Sequence, residues 1–365
     1  MEPLRVLYVN GGLMHRGGIE SYMMNYYRNI DRNKVQFDFI VHGYGKGEYD
    51  DEILNMGGKI YHLPIKSKNP LKYKYEIRKL FKNTNYKIIH SHLDAMSAWV
   101  LKEAKSCRIP IRIAHSHNTQ HLTTNKVKFA VNEFARKSIN KYANYKCACS
   151  PDAAKWLFGT TDNVIYIKNA IDLNKFKFNE SIRNEVREEL VIKDEVVIGH
   201  IGRFDYQKNH EFLINVLEKV VKVNPNVKLV CVGDGTLRVE IENKIKELGI
   251  ESNVKLLGIR NDVNRIINCF DIFAFPSRFE GLGIVLIEAQ ANGLKCIASE
   301  AVPKEANVLE NIKYCPFDEE LWSNEILNID TKRNTDLHLI SSKGYNIKEE
   351  AFKLQNFYLK LAKDV

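Results

Sequence analysis

An alternation of short apolar runs with helix-like segments, found once in each half of the chain, restricts the possible folds most. The runs include Val6–Val9, Phe37–His42 and Lys87–His92, and the pattern restarts with Val196–Ile201. Short buried strands separated by helices predict a parallel sheet with both faces covered. A chain of 365 residues also exceeds what one hydrophobic core usually organises. We therefore predict two α/β units, each built on its own parallel sheet.

The boundaries of these units follow from where the alternation pauses. A polar crossing at Lys168–Asp172 separates residues 1–170 from residues 171–346, and an amphipathic helix over Ile347–Lys363 is expected to cross back to the first unit. The other predicted strands are Lys59–Leu63, Ile111–His115, Lys228–Val232, Val254–Leu257, Ile272–Phe275 and Cys296–Ser299. The other predicted helices are Ile19–Ile30, Ile182–Leu190, Asn209–Val223 and Leu237–Leu248.

Composition limits the class of protein. Hydrophobic residues make up 44% of the chain and charged residues 27%, values typical of a soluble globular protein. No apolar run approaches the ~20 residues that a membrane-spanning helix needs, and Met1–Val9 indicates a strand rather than a signal peptide. The seven cysteines are scattered through apparent core segments without paired CxxC motifs. We therefore predict a cytoplasmic protein with neither a disulfide framework nor a cysteine-based zinc site.

Positive charge is concentrated in the first half of the chain. Residues 1–170 carry 27 Lys and Arg against 14 Asp and Glu, whereas the whole chain has a net charge of only +9. The densest basic run extends from Lys66 to Lys87 and contains one acidic residue, Glu76. This asymmetry indicates an anionic partner, which could be nucleic acid, a membrane surface or a phosphorylated substrate. A solvated lysine-rich helix would give the same pattern.

Two glutamates flank a glycine turn in the second half. Between Glu280 and Glu288 lie Gly281-Leu282-Gly283 and an apolar run from Ile284, which predicts a helix ending near Gly293. Free backbone N–H groups at the start of this helix suit a phosphate. One carboxylate could then contact a sugar while the other accepts hydrogen bonds from ribose hydroxyls. A half-buried helix carrying one solvated glutamate is the alternative.

Polar and glycine-rich loops follow the predicted strands. The carboxyl ends of parallel strands form one edge of a sheet, and ligands bind in the crevice beside that edge. The loop residues are His115 and His117 in the first unit, and Gly202–Asn209, Gly233–Gly235, Gly258–Arg260 and Pro276–Glu280 in the second. Arg203 and Lys208 lie in one such loop, so both can reach a single anionic group.

These motifs resemble those of the retaining, nucleotide-sugar-dependent glycosyltransferases of family four, which have the GT-B fold. The resemblance extends over nearly the whole chain. It rests on Gly17-Gly18-Ile19-Glu20, Gly202-Arg203 with Gln207-Lys208-Asn209, Val232–Gly235, and Phe275–Gly283 with Glu288. The run Glu288–Leu294 is most similar to bacterial members that build capsule or exopolysaccharide. The resemblance implies an α/β protein with two facing, Rossmann-like, doubly wound domains and the active site in the cleft between them.

The resemblance also implies roles for particular residues. The acceptor would bind to residues 1–170 and the nucleotide sugar to residues 171–346. Arg203, Lys208 and backbone N–H groups would bind the donor diphosphate, Glu280 would contact the donor hexose, and Glu288 would hold the ribose. The other residues implied at the donor site are Gly17, Gly18, Gly202, Gly233, Gly258, Ile259, Arg260, Ser277, Gly281, Leu282, Gly283 and Ile284. No metal or other cofactor is implied, because these charges replace the cation.

The histidines form two pairs at the ends of predicted strands. The family places a histidine near the reacting sugar, and His115 and His117 end a strand of the first unit. Their side chains would point to one face because they are two residues apart in an extended segment. We expect one of the two in the active site, and the strand-terminal position favours His115. His90 and His92 end the preceding strand and are interpreted as structural.

The chain departs from the family pattern at two places. Asn169-Ala170 replaces the usual Asn-Gly at the crossing between domains, which indicates a stiffer linker or a slightly different turn. Lys295 follows Leu294 where the family commonly has proline. Neither place touches the expected chemistry.

We therefore expect a metal-independent, retaining hexosyltransferase that uses a nucleoside-diphosphate sugar, with uridine as the expected nucleoside. The donor sugar would be a hexose or N-acetylhexosamine, and the acceptor a lipid-linked saccharide in surface polysaccharide biosynthesis. The enzyme would lie in the cytoplasm at the inner face of the cell membrane, where its basic first unit meets anionic lipid. No covalent nucleophile or two-carboxylate pair stands out, so a same-face displacement is implied.

Three other classes of function remain open. A nucleotide-sugar epimerase or an α-glucan phosphorylase would have the same fold, although the second needs a pyridoxal lysine site that the sequence does not indicate. A binding module with a degenerate site is disfavoured by the complete set of Arg203, Lys208, Glu280 and Glu288. Nucleic-acid binding is suggested by charge alone, and no recognised nucleic-acid motif supports it.

Overall fold

The computed structural model describes residues 2–121, 123, 125–334 and 336–364. Contacts divide the chain into two compact units. One unit contains the residues up to Ala170 together with those from Ile347 onward, and the other contains Ile171–Asn346. Each unit has a parallel sheet as its central layer with helices on both faces, so the expected α/β class with two Rossmann-like sheets is confirmed.

The first unit is built on β1 to β7. The strands are β1 Leu4–Val9, β2 Val35–His42, β3 Ile60–Leu63, β4 Ile88–Ser91, β5 Ile111–Ser116, β6 Tyr145–Ala148 and β7 Val164–Tyr166. The helices are α1 Gly18–Asn29, α2 Asp50–Asn55, α3 Pro70–Lys82, α4 Ser97–Ser106, α5 Lys126–Tyr142 and α6 Pro151–Phe158. The strands are parallel in the order β3-β2-β1-β4-β5-β6-β7.

The second unit is built on β8 to β13. Its helices are α7 Leu173–Phe176, α8 Glu180–Glu189, α9 His210–Val223, α10 Arg238–Glu247, α11 Val263–Ile266, α12 Ile284–Ala291, α13 Glu319–Asn328 and α14 Leu337–Ile340. Its strands are β8 Val196–Ile201, β9 Val227–Val232, β10 Val254–Leu256, β11 Ile272–Phe275, β12 Lys295–Ser299 and β13 Ile312–Cys315. They are parallel in the order β10-β9-β8-β11-β12-β13.

Alternating side chains of the central strands form a core on each face of each sheet. In the first unit, Tyr8 belongs to one core and Leu7 to the other. In the second unit, Phe273 and Ile272 divide in the same way. Successive residues of a strand point to opposite faces, and a parallel sheet covered on both faces buries both sets. The continuous apolar runs of the sequence follow from this double burial.

The last helix, α15 Ile347–Lys363, belongs to the first unit. Ala351, Leu354, Tyr358 and Leu361 are buried and join the same core as Tyr8. The Tyr358 hydroxyl is 2.7 Å from the Tyr8 hydroxyl. These positions recur every three or four residues, so α15 packs one apolar face against α1 and β2.

Candidate functional site

Three glycine turns meet at the carboxyl edge of the second sheet. Gly202, Gly233 and Gly258 follow β8, β9 and β10. The N–H of Gly202 donates to the Val232 carbonyl at 3.0 Å, and the N–H of Gly233 donates to the Gly258 carbonyl at 2.9 Å. A Cβ on Gly233, whose φ is +136°, would lie 2.1 Å from the Gly202 oxygen. The two backbones therefore approach so closely that only glycine fits at position 233.

A buried ion pair lies at the same edge. Lys208 Nζ is 2.6 Å from Glu280 Oε1, and the two side chains are only 17% and 8% exposed. The Lys208 stem packs beside Gly202, where a Cβ would lie 3.0 Å from Lys208 Cγ. The ammonium group is 4.6 Å from the centre of the Phe275 ring. The structure thus joins the residue predicted to bind the diphosphate to the residue predicted to contact the hexose.

Arg203 lies in the same loop but points outward. Its side chain is 72% exposed, and its Nε donates to Asp205 Oδ2 at 2.8 Å. Asp205 Oδ1 accepts a hydrogen bond from the backbone N–H of Lys208 at 3.2 Å. Asp205 therefore links the two predicted cations of this loop. The sequence interpretation gave it no role, although its carboxylate lies two residues after Arg203 in the same motif.

Hydrogen bonds join the loop after β8 to the loop after β11. The N–H of Arg278 donates to the Gln207 carbonyl at 2.8 Å, and Gln207 Nε2 donates to the Phe279 carbonyl at 2.9 Å. Arg278 Nη2 donates to Asn209 Oδ1 at 2.7 Å. The sequence motifs contained Gln207, Asn209 and Arg278 without a role for them. The structure shows that they hold in place the two loops that carry Lys208 and Glu280.

The glycine turn and helix predicted after Glu280 are present. Gly283 has a φ of +81° and precedes α12, which begins at Ile284. Glu288 lies in the second turn of α12 and is half-buried. No other described residue forms a hydrogen bond or ion pair with its carboxyl group. Burial raises the pKa of Glu288 to about 8, so this carboxyl is largely protonated at neutral pH in the free protein.

The remaining predicted nucleotide contacts differ in their surroundings. Ser277 is fully buried, and its hydroxyl has no partner among the described residues. Ile259 is 66% exposed. The Arg260 guanidinium donates to Asp262 at 2.8 Å through Nε and Nη2, and to Glu189 at 3.1 Å. The Ile259 side chain is therefore the exposed group of this turn, whereas the Arg260 guanidinium is paired.

In the first unit, Gly17 precedes α1 and Gly18 is its first residue. A Cβ on Gly17 would lie 2.2 Å from Glu20 Oε2, so the Glu20 side chain folds back over this residue. Asn10 Nδ2 donates to Glu20 Oε1 at 2.9 Å and to the Leu13 carbonyl at 3.1 Å. The first N–H groups of α1 have no acceptor within the helix. The loop therefore presents backbone donors of the kind that bind anions.

Four histidines form a two-by-two array on one face of β4 and β5. His90 Nε2 is 3.1 Å from His115 Nδ1, and His92 Nδ1 is 2.8 Å from His117 Nε2. The ring centroids of His90 and His92 are 4.3 Å apart with the rings tilted by 31°, and those of His115 and His117 are 4.1 Å apart with the rings stacked. Burial lowers the pKa of all four imidazoles, that of His117 to about 3. The array is therefore neutral.

The array is deeper at one end than at the other. His90 and His115 have no exposed surface, whereas His117 is 7% exposed. Asp94 Oδ1 accepts a hydrogen bond from the backbone N–H of His117 at 2.7 Å, and Asp94 Oδ2 accepts one from Asn118 Nδ2 at 2.6 Å. Asp94 was not among the predicted site residues. Of the two histidines considered for the active site, His117 is the more exposed. The sequence had favoured His115 because it lies at the end of the predicted strand.

His90 and His92 were interpreted from the sequence as structural residues, and the contacts of their ring nitrogens agree with this for His90 alone. His90 Nδ1 is 2.6 Å from the Tyr358 hydroxyl, so both of its ring nitrogens have partners. The Nε2 atoms of His92 and His115 and the Tyr22 hydroxyl are buried without a partner among the described residues. Tyr22 lies beside both rings, with centroids 5.8 Å from His92 and 5.3 Å from His115. Three unpartnered polar atoms therefore belong to mutually contacting side chains.

Two protein-family models match the chain. The model described as Glycosyltransferase Family 4 matches residues 16–175. The model described as Glycosyl transferases group 1 matches residues 182–318. The first match lies almost entirely in the first unit, and the second lies within the second unit. Each unit thus matches a different glycosyltransferase family model.

Curated relatives match over most of the chain. EpsF of Bacillus subtilis, which is named a glycosyltransferase, is 34% identical over 311 residues that cover 83% of this chain and 81% of EpsF. CapH of Staphylococcus aureus, named a capsular polysaccharide biosynthesis glycosyltransferase, is 26% identical and covers 95% of this chain and 96% of CapH. An Escherichia coli α-1,3-galactosyltransferase, named for UDP-Gal and GlcNAc-diphosphoundecaprenol, is 24% identical over 60% of this chain and 59% of that protein.

A solved structure supports the fold. Alr3699/HepE of Anabaena, crystallised with UDP-glucose, superposes with a TM-score of 0.77 at 18% sequence identity. The match covers 99% of this chain and all of HepE. At this level of identity the likeness shows a shared architecture.

Proposed function

Because the chain belongs to the family-four glycosyltransferases, we propose that it transfers a hexose or N-acetylhexosamine from a nucleoside-diphosphate sugar, specifically a uridine one, to a saccharide acceptor. The anomeric configuration would be retained. The observation that carries this proposal is the buried ion pair of Lys208 and Glu280, 2.6 Å long, at the carboxyl edge of the second sheet. A cation held in a dry site beside glycine turns suits a diphosphate leaving group.

The ion pair and the nearby backbone donors divide the chemistry of the transfer. The bond between the anomeric carbon and the β-phosphate oxygen breaks, and negative charge accumulates on the departing diphosphate. Lys208 and the N–H groups at the start of α12 would stabilise that charge, and Glu280 would orient Lys208 and contact the hexose. The acceptor oxygen would bond to the same face of the sugar, and its proton would pass to the departing phosphate oxygen. Fixed charges would thus take the place of a divalent cation.

The acceptor is proposed from the relatives and the charge of the first unit. The E. coli relative is named for a diphosphoundecaprenol-linked sugar and the S. aureus relative for capsule. A lipid-linked saccharide of surface polysaccharide biosynthesis is therefore the proposed acceptor. It would bring the enzyme from the cytoplasm to the inner face of the cell membrane. In the first unit, His117 is the proposed histidine near the reacting sugar because it is the more exposed of the pair.

A panel of nucleotide sugars tests the proposal. We expect UDP-sugars to raise the melting temperature more than GDP- or dTDP-sugars, because only a ligand that binds the folded state stabilises it. NMR of the product should show the donor's anomeric configuration, and added Mg²⁺ or Mn²⁺ should not increase turnover. Interconversion of donor sugars without an acceptor would instead identify an epimerase. Binding without turnover on any lipid-linked or soluble saccharide would identify a binding module.

The affinity for UDP is expected to rise with pH because of Glu288. Its pKa of about 8 means that a carboxylate accepting from ribose hydroxyls must first lose a proton. Below that pKa, affinity should increase by up to about tenfold per pH unit, and calorimetry in buffers of different ionisation enthalpy should show proton release. We expect Glu288→Gln to bind UDP weakly and without pH dependence in a titration from about pH 6.5 to about pH 9. Equal affinity in variant and wild type would remove Glu288 from the nucleotide site.

The same group predicts a change in stability without nucleotide. Burial raises the pKa of Glu288 from 4.5 in the unfolded chain to about 8 in the folded protein. The protonated form therefore favours the folded state, and its contribution is complete below the unfolded value. This contribution should be lost as pH rises from about 4.5 through 8. Over the same pH range, Glu288→Gln should lose less stability than the wild type.

The first unit carries a surface suited to anionic lipid. Among the described residues, no helix has both the length and the apolar character needed to cross a membrane. Helices α3, α4 and α5 pack on one face of the first sheet. The outer side of α3 exposes Leu71 and Tyr75, and that of α5 exposes Val127, Phe129 and Phe134. Exposed apolar side chains among lysines are typical of helices that lie on membranes.

Liposome flotation is expected to show binding to anionic vesicles. Lysines near a charged bilayer contribute about 1 kcal/mol each, so reversal of Lys68, Lys72, Lys79 and Lys82 to Glu should abolish binding at low salt. Phe129→Ser with Phe134→Ser should weaken the salt-resistant part. The matched control reverses Lys222, Lys244, Lys246 and Lys255 in the second unit and should still float. Equal flotation of both charge-reversed proteins, or of wild type on neutral vesicles, would contradict the assignment.

A further inference from the structure

We propose that His90, His92 and His115 form a binding site for a transition-metal ion of the zinc class in the first unit. One ring nitrogen from each of the three residues lies within 4.8 Å of those of the other two. The three side chains are 0–1% exposed. The inference concerns a different set of residues from the diphosphate site and does not depend on the proposed function.

The spacing of the nitrogens is close to that of a coordination sphere. A tetrahedral zinc ion with Zn–N bonds of about 2.0–2.1 Å separates its ligand nitrogens by about 3.4 Å. His90 Nε2 and His115 Nδ1 are already 3.1 Å apart. The ligand nitrogens of the three residues lie within 4.8 Å of one another, so the widest gap has to close by at most about 1.4 Å to reach the tetrahedral spacing. Rotation of one imidazole about its side-chain bonds can supply such a movement.

Proton counting shows why the array is incomplete without a further group. Each neutral imidazole has one N–H and one lone pair. The two cross-strand hydrogen bonds use one nitrogen of His92 and one of His115, and leave the Nε2 of each buried without a partner. The neighbouring Tyr22 hydroxyl is also unpartnered. An unsatisfied buried polar group destabilises the folded state, and an ion bound by His92 Nε2, with the Tyr22 hydroxyl as a further ligand, would satisfy two of these atoms together.

The outer partners favour tautomers that can bind metal. Histidines that ligate a metal usually donate their other N–H to a neighbouring acceptor, which fixes the ring. His90 Nδ1 can donate to the Tyr358 hydroxyl at 2.6 Å, which leaves the Nε2 lone pair toward the cluster. His92 Nδ1 can donate to His117 Nε2 at 2.8 Å, which leaves its Nε2 lone pair free. Tyr358 is itself held by Tyr8. Two of the three rings therefore have such a partner.

The donor set decides the class of ion. Three imidazoles suit Zn²⁺, Co²⁺, Ni²⁺ or Cu²⁺, whereas Mg²⁺ and Ca²⁺ require oxygen ligands. The carboxylate of Asp94 already accepts hydrogen bonds from the backbone N–H of His117 and from the Asn118 side chain, so it is not counted among the ligands. The Tyr22 hydroxyl or a water molecule would take the fourth position. An ion here would join β4 to β5 and would stabilise the first unit rather than act on the donor diphosphate.

The test uses the full chain purified from cells grown with added zinc or cobalt, so that entry into the folded core is not required. We expect about one metal ion per chain by elemental analysis, the visible d–d absorption of tetrahedral Co²⁺, and a zinc X-ray absorption shell of imidazole nitrogens with one oxygen and no sulfur. The melting temperature should exceed that of protein grown without added metal. Metal-free protein from both preparations, while folded by circular dichroism, would overturn the proposal.

Two variants assign the metal to this cluster. His92→Asn should lose the bound ion and the cobalt spectrum while it remains folded, and Tyr22→Phe should retain the ion with an altered spectrum. The control is His200→Asn, which changes another fully buried histidine, in the second unit, and should keep the metal. The same metal content in His92→Asn and wild type would overturn the site. If His92→Asn does not fold, loss of metal in His115→Gln serves instead, and retention there would have the same meaning.

Discussion

Replacing Lys208 by alanine is expected to lower kcat/KM for the nucleotide sugar by about 10²–10³-fold, as the loss of one preorganised contact to a developing charge typically does. The loss should appear mainly in kcat, because the charge on the diphosphate grows as the bond to the sugar breaks. The measurement is steady-state turnover of the donor identified by the nucleotide-sugar panel. Turnover at the wild-type rate in a folded variant would remove Lys208 from the diphosphate site.

The ion pair complicates this variant and also provides its control. Without Lys208, the buried carboxylate of Glu280, whose side chain is 8% exposed, loses its lysine partner, at a cost of up to about 3–5 kcal/mol in stability. Lys208→Ala with Glu280→Gln should recover most of that stability but none of the activity. Lys222→Ala, which removes an exposed lysine paired with Glu218, should leave both unchanged. If the double variant regained activity, the effect of Lys208 would be structural.

Gly233→Ala is expected to destabilise the second unit by about 2–4 kcal/mol, since it combines backbone strain with overpacking. The new methyl group would stand 2.1 Å from the Gly202 oxygen, at a backbone φ of +136°. Gly202 belongs to the turn that packs on Lys208, so donor binding should weaken as well. Thermal and urea unfolding, with UDP calorimetry on the remaining folded protein, would measure both effects.

Gly249→Ala separates the two causes. Gly249 also has a positive φ, +66°, but a Cβ there would meet no atom within 4 Å. It should cost only about 1–2 kcal/mol, the penalty of a left-handed conformation, and leave UDP affinity unchanged. Equal losses of stability in the two variants would mean that the close approach of the Gly202 and Gly233 backbones does not add to the destabilisation.

The predicted elements that match best are two apolar runs, each preceded by an acidic residue and followed by glycine or proline, and one amphipathic helix. Val196–Ile201, Ile272–Phe275 and Ile347–Lys363 have the predicted bounds. The elements that the sequence did not predict lack a clear contrast between apolar and polar positions. β7 has three residues at the edge of its sheet, and β6 includes a lysine and two half-buried positions. α5 escaped detection because several of its large apolar side chains lie on the exposed side, against the usual amphipathic pattern.

The candidate site was predictable by residue type but not by pairing. The sequence motifs supplied Lys208 and Glu280 separately, and their ion pair across 72 positions depends on how two loops meet after folding. The histidines show the same limit. Because β4 and β5 are in parallel register with His90 opposite Ile113, His90 meets His115 on the diagonal. Alternation along one strand places side chains on a face, but it does not give the offset of the next strand.

The position of α15 in the core of the first unit has a consequence for how the protein is made. Tyr8 and Tyr358, which are hydrogen-bonded, are 350 positions apart, and Ile171–Asn346 forms a unit of its own between them. At translation rates of about 5–20 residues per second, the ribosome needs about 10–35 s to make this intervening unit. During that time the nascent first unit lacks the helix that covers Tyr8 and its apolar neighbours. The second unit, although later in sequence, can therefore finish folding first, while the apolar core of the first unit stays uncovered until α15 leaves the ribosome.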